Sequence, residues 1–122
     1  MESPHKGKTG ITRLLNAFKY SCAGLQEAYR NEDAFRQEVT LAFILIPLTF
    51  FIEQDMQARA LMIACVILVI IVELLNSAIE ATVDRISLDD HNLAKRAKDI
   101  GSAAVLLSLV NLIVVWGLVL LK

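Results

Sequence analysis

Apolar and polar positions alternate along this chain with the period of helices, and they do so in four blocks. In the first block Ile11, Leu14, Leu15, Phe18, Cys22, Leu25 and Tyr29 recur at helical spacing, with Arg13, Asn16, Lys19, Gln26, Glu27 and Arg30 between them. That pattern predicts an amphipathic helix over 11–31 that lies along a membrane surface. Val39 to Ile52 is an uncharged run of 14 residues, and its helix is expected to begin near Phe35 and to bend at Pro47. Ala58 to Val72 is a second apolar run, which continues past Glu73 in helical pattern to about Asp84. Ile100 to Leu121 is the clearest span, 22 residues without a charge.

The expected architecture is therefore an all-α integral membrane protein: an N-terminal amphipathic surface helix followed by three transmembrane helices. Residues 1–10 read as a flexible basic leader, and residues 32–122 as the membrane domain, with spans at about 35–52, 58–83 and 100–121. Glu53 to Gln57 reads as a short polar turn, and 84–99 as a polar hinge. Met1 to Gly10 lacks the apolar core of a cleavable signal, so the internal spans are expected to carry membrane entry.

Charge gives this layout an orientation. Residues 1–38 hold six Lys or Arg and the 84–99 hinge holds four, whereas the turn between the first two spans has only Arg59 beside it. The positive-inside rule puts the N-terminus and the hinge in the cytoplasm and the C-terminus on the outer side. A formal net charge of −1 gives no indication of nucleic acid as a partner. Of the two cysteines, Cys65 lies inside an apolar run, so no disulfide framework is expected. The five glycines form neither a Walker A loop nor a dinucleotide fingerprint, and neither a Cys/His zinc spacing nor a Gly-x-Ser-x-Gly elbow is present.

The chemistry concentrates in E-L-L-N-S-A-I-E-A-T-V-D, residues 73–84. Glu73, Asn76, Glu80 and Asp84 are three, four and four residues apart. On a helix they share one face, within an arc of about 80°. Glu73 falls about 22 Å along the helix from Ala58, near the cytoplasmic edge of a hydrocarbon core about 30 Å thick. A carboxylate there is costly unless it is paired, protonated or facing water, and one so placed can serve as a general base. Glu80 and Asp84 lie closer to the cytoplasm, where carboxylate oxygens suit a hard cation such as Mg2+. A structural polar stripe that joins helices is the plainer alternative, and it is the role expected of Ser108 and Asn111 in the third span. On the same side of the membrane fall Glu32, Asp33, Arg36, Gln37 and Glu38, and also Lys95, Arg96, Lys98 and Asp99. Cations beside carboxylates suit a metal-bound polyphosphate, although Lys95 and Arg96 equally suit interface anchoring.

Residues 73–84 resemble the signature of the small prokaryotic diacylglycerol kinases, and K-R-A-K-D-I-G-S-A-A-V-L, residues 95–106, and A-F-R-Q-E, residues 34–38, fit the same family. The resemblance covers nearly the whole chain. It implies a homotrimeric kinase of the bacterial inner membrane that moves the γ-phosphate of ATP to diacylglycerol and makes phosphatidic acid, with each site shared between subunits. It implies further that Glu73 is the base and that Asn76 helps order the site. Glu32 and Glu80 would hold Mg2+ with ATP, and Arg13, Tyr20, Asp89, Asp90, His91, Lys98 and Asp99 would line the nucleotide. Arg36, Gln37, Glu38 and Ser102, with Glu73, would meet the lipid. The chain departs from the family pattern at Cys22, where some members carry Trp, and at Asp89-Asp90, which stand in place of a Glu and an aromatic residue. The related polyprenol kinases share the Glu-Asn-Glu-Asp helix, so a kinase of another lipid alcohol such as undecaprenol is the nearest alternative. A non-enzymatic small transporter or assembly subunit is the alternative from another class.

Overall fold

A computed structural model describes residues 9–86 and 91–122 of the chain. It holds α1 (Gly10–Asn31), α2 (Asp33–Ile52), α3 (Met56–Ile86) and α4 (Asn92–Leu120). The chain divides after Glu32 into two compact units.

The first unit is α1. It opens from Thr9, which is extended, through Gly10 at φ +62°, a left-handed conformation that suits glycine. Ile11, Leu14, Leu15 and Phe18 are all exposed, as an amphipathic helix made for a lipid surface requires. Near its end Asn31 Nδ2 donates to the Glu27 carbonyl and to Glu27 Oε2, both at 2.9 Å. Glu32 is extended and ends the helix, its N–H still donating to the Ala28 carbonyl at 2.9 Å.

The second unit is α2–α4, with α3 packed against α2 and against α4. All three helices are long and apolar enough to cross a membrane. Even α3 buries only 28% of its most apolar stretch within the chain, so most of the apolar surface is left for lipid or other chains. α2 runs through Pro47 without ending.

α3 and α4 are antiparallel, and a series of contacts fixes their register. Trp116 Nε1 donates to the Met62 carbonyl at 3.1 Å, Asn111 Nδ2 reaches Cys65 Sγ at 3.5 Å, and Lys98 Nζ lies 2.7 Å from Asp84 Oδ1. Met62, Val66, Trp116 and Ala42 form the apolar core, so the densest packing sits toward the α2–α3 turn, away from the carboxylates. Ser108 is buried but donates to the Val105 carbonyl of its own helix, so Asn111, not Ser108, makes the expected polar link between helices.

Around the α2–α3 turn, Asp55 caps α3 by accepting from the Ala58 N–H at 2.9 Å. Arg59 donates to the carbonyls of Thr49 and Glu53, and its guanidinium stands 4.6 Å from the Phe50 ring centre. Glu53, 4% exposed, accepts from Lys122 Nζ at 2.6 Å and from the Asp55 N–H at 3.0 Å. The Lys122 hydrogen bond holds its carboxyl below the usual glutamate range.

The stretch read as a hinge is largely helical. α3 continues to Ile86, and α4 begins at Asn92, capped by His91 Nδ1, which accepts the Leu93 N–H at 3.1 Å. Apolar periodicity marks where a helix is in lipid, not where it stops. Past that boundary an i, i+4 pair such as Lys95–Asp99, at 2.7 Å, supports helix in water.

Candidate active site

The polar row of α3 enters the protein progressively. Asp84 is half-exposed and Glu80 half-buried, whereas Glu73 and Asn76 are 5% and 8% exposed. Burial thus rises along one helical face from the C-terminal end of α3 inward, as the spacing of these residues requires once α2 and α4 cover that face.

Asn76 joins two members of the row, Nδ2 donating to Glu80 Oε1 at 3.2 Å. Its Oδ1 is buried and accepts no hydrogen bond among the described residues. That oxygen lies against Gly101 of α4, where a Cβ would stand 2.2 Å from it. On α2, Glu38 is half-buried, with Oε2 buried and unpartnered among the described residues, and it lies within electrostatic range of Glu73. Arg36 is half-buried and pairs with Asp33, and Gln37 is exposed.

The α4 side supplies positive charge. Lys98 joins Asp84 to α4, and Lys95 bonds Asp99. Asn92, Lys95, Arg96, Asp99, Ile100 and Ala103 line an open groove of about 340 Å3. Lysine and arginine along its polar wall suit phosphate oxygens. Ser102 is exposed on the same helix.

Of the residues expected from the sequence, the second unit thus brings together Glu38 with Glu73 and Asn76 with Glu80. His91 is an exposed helix cap with Nδ1 occupied. Arg13 and Tyr20 are exposed on α1, and Glu32, half-buried, follows it. Asp89 and Asp90 lie outside the described residues.

The donors of the row are carboxylate and amide oxygens, the hard set that Mg2+ prefers. Among the described residues, no three His, Cys, Asp or Glu side chains converge as cation ligands. A magnesium site built on Glu80 would therefore need further oxygens from phosphate, water or another chain. Gly101 belongs to this site and was not singled out from the sequence. The only sequence signal for it was a glycine inside a helical segment where alanine is the better helix former.

The model of the prokaryotic diacylglycerol kinase family matches residues 19–120. The chain belongs to that family. The match takes in α2, α3 and α4 and more than half of α1. Among its relatives, the diacylglycerol kinase of Pseudomonas aeruginosa is 56% identical over 119 residues, which cover 98% of this chain and 97% of the relative. That of Haemophilus influenzae is 53% identical, covering 89% of this chain and 92% of the relative. That of Escherichia coli K12 is 46% identical, covering 92% of each. The resemblance seen in residues 73–84 and 95–106 thus extends along the prokaryotic diacylglycerol kinase as a whole.

Proposed function

We infer that this chain is an ATP-dependent diacylglycerol kinase of the bacterial inner membrane. The observation that carries the reading is the polar row of α3, which runs from half-buried Glu80 to buried Asn76 and Glu73 inside a bundle of three membrane-length helices, in a chain of this family. Phosphoryl transfer asks little covalent chemistry of a protein; it asks for positioning and for charge neutralisation. A lipid hydroxyl lies at the membrane interface, the depth at which Glu73 is expected.

In this reading Glu73 accepts the proton of the diacylglycerol hydroxyl. The hydroxyl oxygen then forms a bond to the γ-phosphorus of ATP, the bond to the bridging oxygen breaks, and ADP leaves as phosphatidic acid forms. Asn76 orients Glu80 beside the base. Arg36, Gln37, Glu38 and Ser102 meet the lipid. Arg13, Tyr20, Asp89, Asp90, His91, Lys98 and Asp99 hold the nucleotide. Glu32 and Glu80 would hold Mg2+, which when bound neutralises phosphate charge.

A homotrimer with shared sites fits the same reading. It is supported by the apolar surface that α2, α3 and α4 leave uncovered, and by a carboxylate set too sparse in the described residues to enclose a cation. The Lys and Arg distribution supports a cytoplasmic N-terminus and a periplasmic C-terminus.

The test is Mg2+-dependent transfer from ATP in mixed micelles, to dioleoylglycerol and separately to undecaprenol, by the intact chain and by Glu73→Gln. Phosphatidic acid formation that Glu73→Gln abolishes is the expected result. Transfer to undecaprenol alone would change the substrate and keep the base. No transfer to either lipid by a folded oligomer would overturn the kinase reading.

A further inference from the structure

Glycine inside a helix is destabilising relative to alanine, so a helical glycine in a well-built chain has a reason to be there. Gly24 and Gly117 have nothing within 4 Å of where a Cβ would stand, and alanine would fit at either. Gly101 is buried, and the three nearest atoms to its missing Cβ all belong to Asn76: Oδ1 at 2.2 Å, Cγ at 3.3 Å and Cβ at 4.0 Å.

An asparagine amide has a donor end and an acceptor end, and its last torsion is soft. The donor end of Asn76 is on Glu80 Oε1. Turned over, the amide would bring Oδ1 against a carboxylate oxygen, acceptor to acceptor. The observed orientation is the productive one, and it needs room for Oδ1 on the α4 side. Only a residue without a side chain leaves that room.

We propose that Gly101 is a positioning residue for phosphoryl transfer: its bare Cα is the seat that lets the Asn76 amide turn its donor toward Glu80. The proposal rests on the kinase reading, because it acts through Asn76 and Glu80. A methyl at position 101 rotates or displaces the amide, and Glu80 loses the donor that orients it. Gly101 itself touches neither lipid nor nucleotide.

The experiment is a double-mutant cycle of Gly101→Ala and Asn76→Ala, with Gly117→Ala as the control for helix propensity. Diacylglycerol phosphorylation and the 15N-resolved side-chain amide signal of Asn76 are both read in micelles. Gly101→Ala is expected to lower kcat by about tenfold or more while KM for lipid and ATP stays within about twofold. It is expected also to shift the Asn76 amide signal. In the Asn76→Ala background, where the methyl finds space, the same substitution is expected to change the residual rate by less than about twofold. Gly117→Ala leaves rate and signal unchanged. An equal loss in both backgrounds, or an unmoved Asn76 signal in Gly101→Ala, overturns the proposal. Should Gly101→Ala fail to fold, recovery of folded protein in the double variant supports the seat and continued failure overturns it. A parent chain without transfer activity refutes the kinase reading instead, and the amide signal still decides the seat.

Discussion

Lys98 of α4 sets its ammonium 2.7 Å from the Asp84 carboxylate of α3, tying together the two helices that carry most of the candidate site. The pair is half-exposed, 42% for Lys98 and 44% for Asp84, so water and salt screen it.

Such a pair contributes at most about 1 kcal/mol to stability, and its stronger effect is on position. A lysine is a point charge on a flexible stem with three donors, and an ion pair fixes the stem without exhausting them. Asp84→Asn is expected to leave the thermal midpoint nearly unchanged and to raise KM for ATP a few-fold. Lys98→Met is expected to raise it by about tenfold or more. Initial rates over an ATP series check both; a fall in the thermal midpoint with KM unchanged would make the pair purely structural.

Asn76 sets stability against function. Its buried Oδ1 has no hydrogen-bond partner among the described residues, and an orphaned buried acceptor costs about 1–3 kcal/mol. Asn76→Ala removes that cost and also removes the donor to Glu80. Its thermal midpoint is therefore expected not to fall, while phosphoryl transfer slows by at least about tenfold. Thermal inactivation and initial rates on the same preparation test this; a midpoint that falls together with the rate would show that the amide is structural glue.

What was legible in the sequence was what a single helix reveals about itself. The spacing of Glu73, Asn76, Glu80 and Asp84 placed them on one face, and the apolar runs located three membrane-length helices. What was not legible depends on how α3 and α4 are aligned. Cys65 and Asn111 are 46 residues apart, Met62 and Trp116 are 54 apart, and Glu53 and Lys122 are 69 apart. Periodicity within one helix does not say which of its turns meets which turn of another. Gly101 was therefore only one of five glycines until α4 was seen against Asn76. The helical extension through Lys95–Asp99 was hidden for a different reason: outside the lipid, polar helix and polar loop share a composition.

The Glu53–Lys122 pair gives the opposite end of the bundle a pH dependence. The lysine holds the Glu53 carboxyl below its ordinary 4.5, so the folded chain binds the proton less readily than the unfolded chain does. The stabilisation is then complete above about pH 4.5 and is lost as the pH falls through the lowered folded value. Lys122→Met is expected to have a lower thermal midpoint than the parent near neutral pH, and the gap is expected to close on acidification. Parallel melts of both proteins across that range test it; a gap independent of pH would mean that Lys122 acts by packing alone.

Trp116 fastens the same end by another means. It is 9% exposed, and its indole N–H donates at 3.1 Å to the carbonyl of Met62, which is fully buried. Trp116→Phe keeps an aromatic ring and deletes the donor, a loss of about 1 kcal/mol or less within a membrane bundle. Trp116→Ala also empties the core around Ala42, Met62 and Val66 and is expected to cost about 3–5 kcal/mol. Met62 lies about 16 Å along α3 from Glu73, too far for the indole to touch the reacting groups. Both variants are therefore expected to shorten the half-life at elevated temperature in that order, while KM for lipid and for ATP at low temperature stays that of the parent. A rise in either KM with the half-life unchanged would place Trp116 in the working site, against the position that the structure gives it.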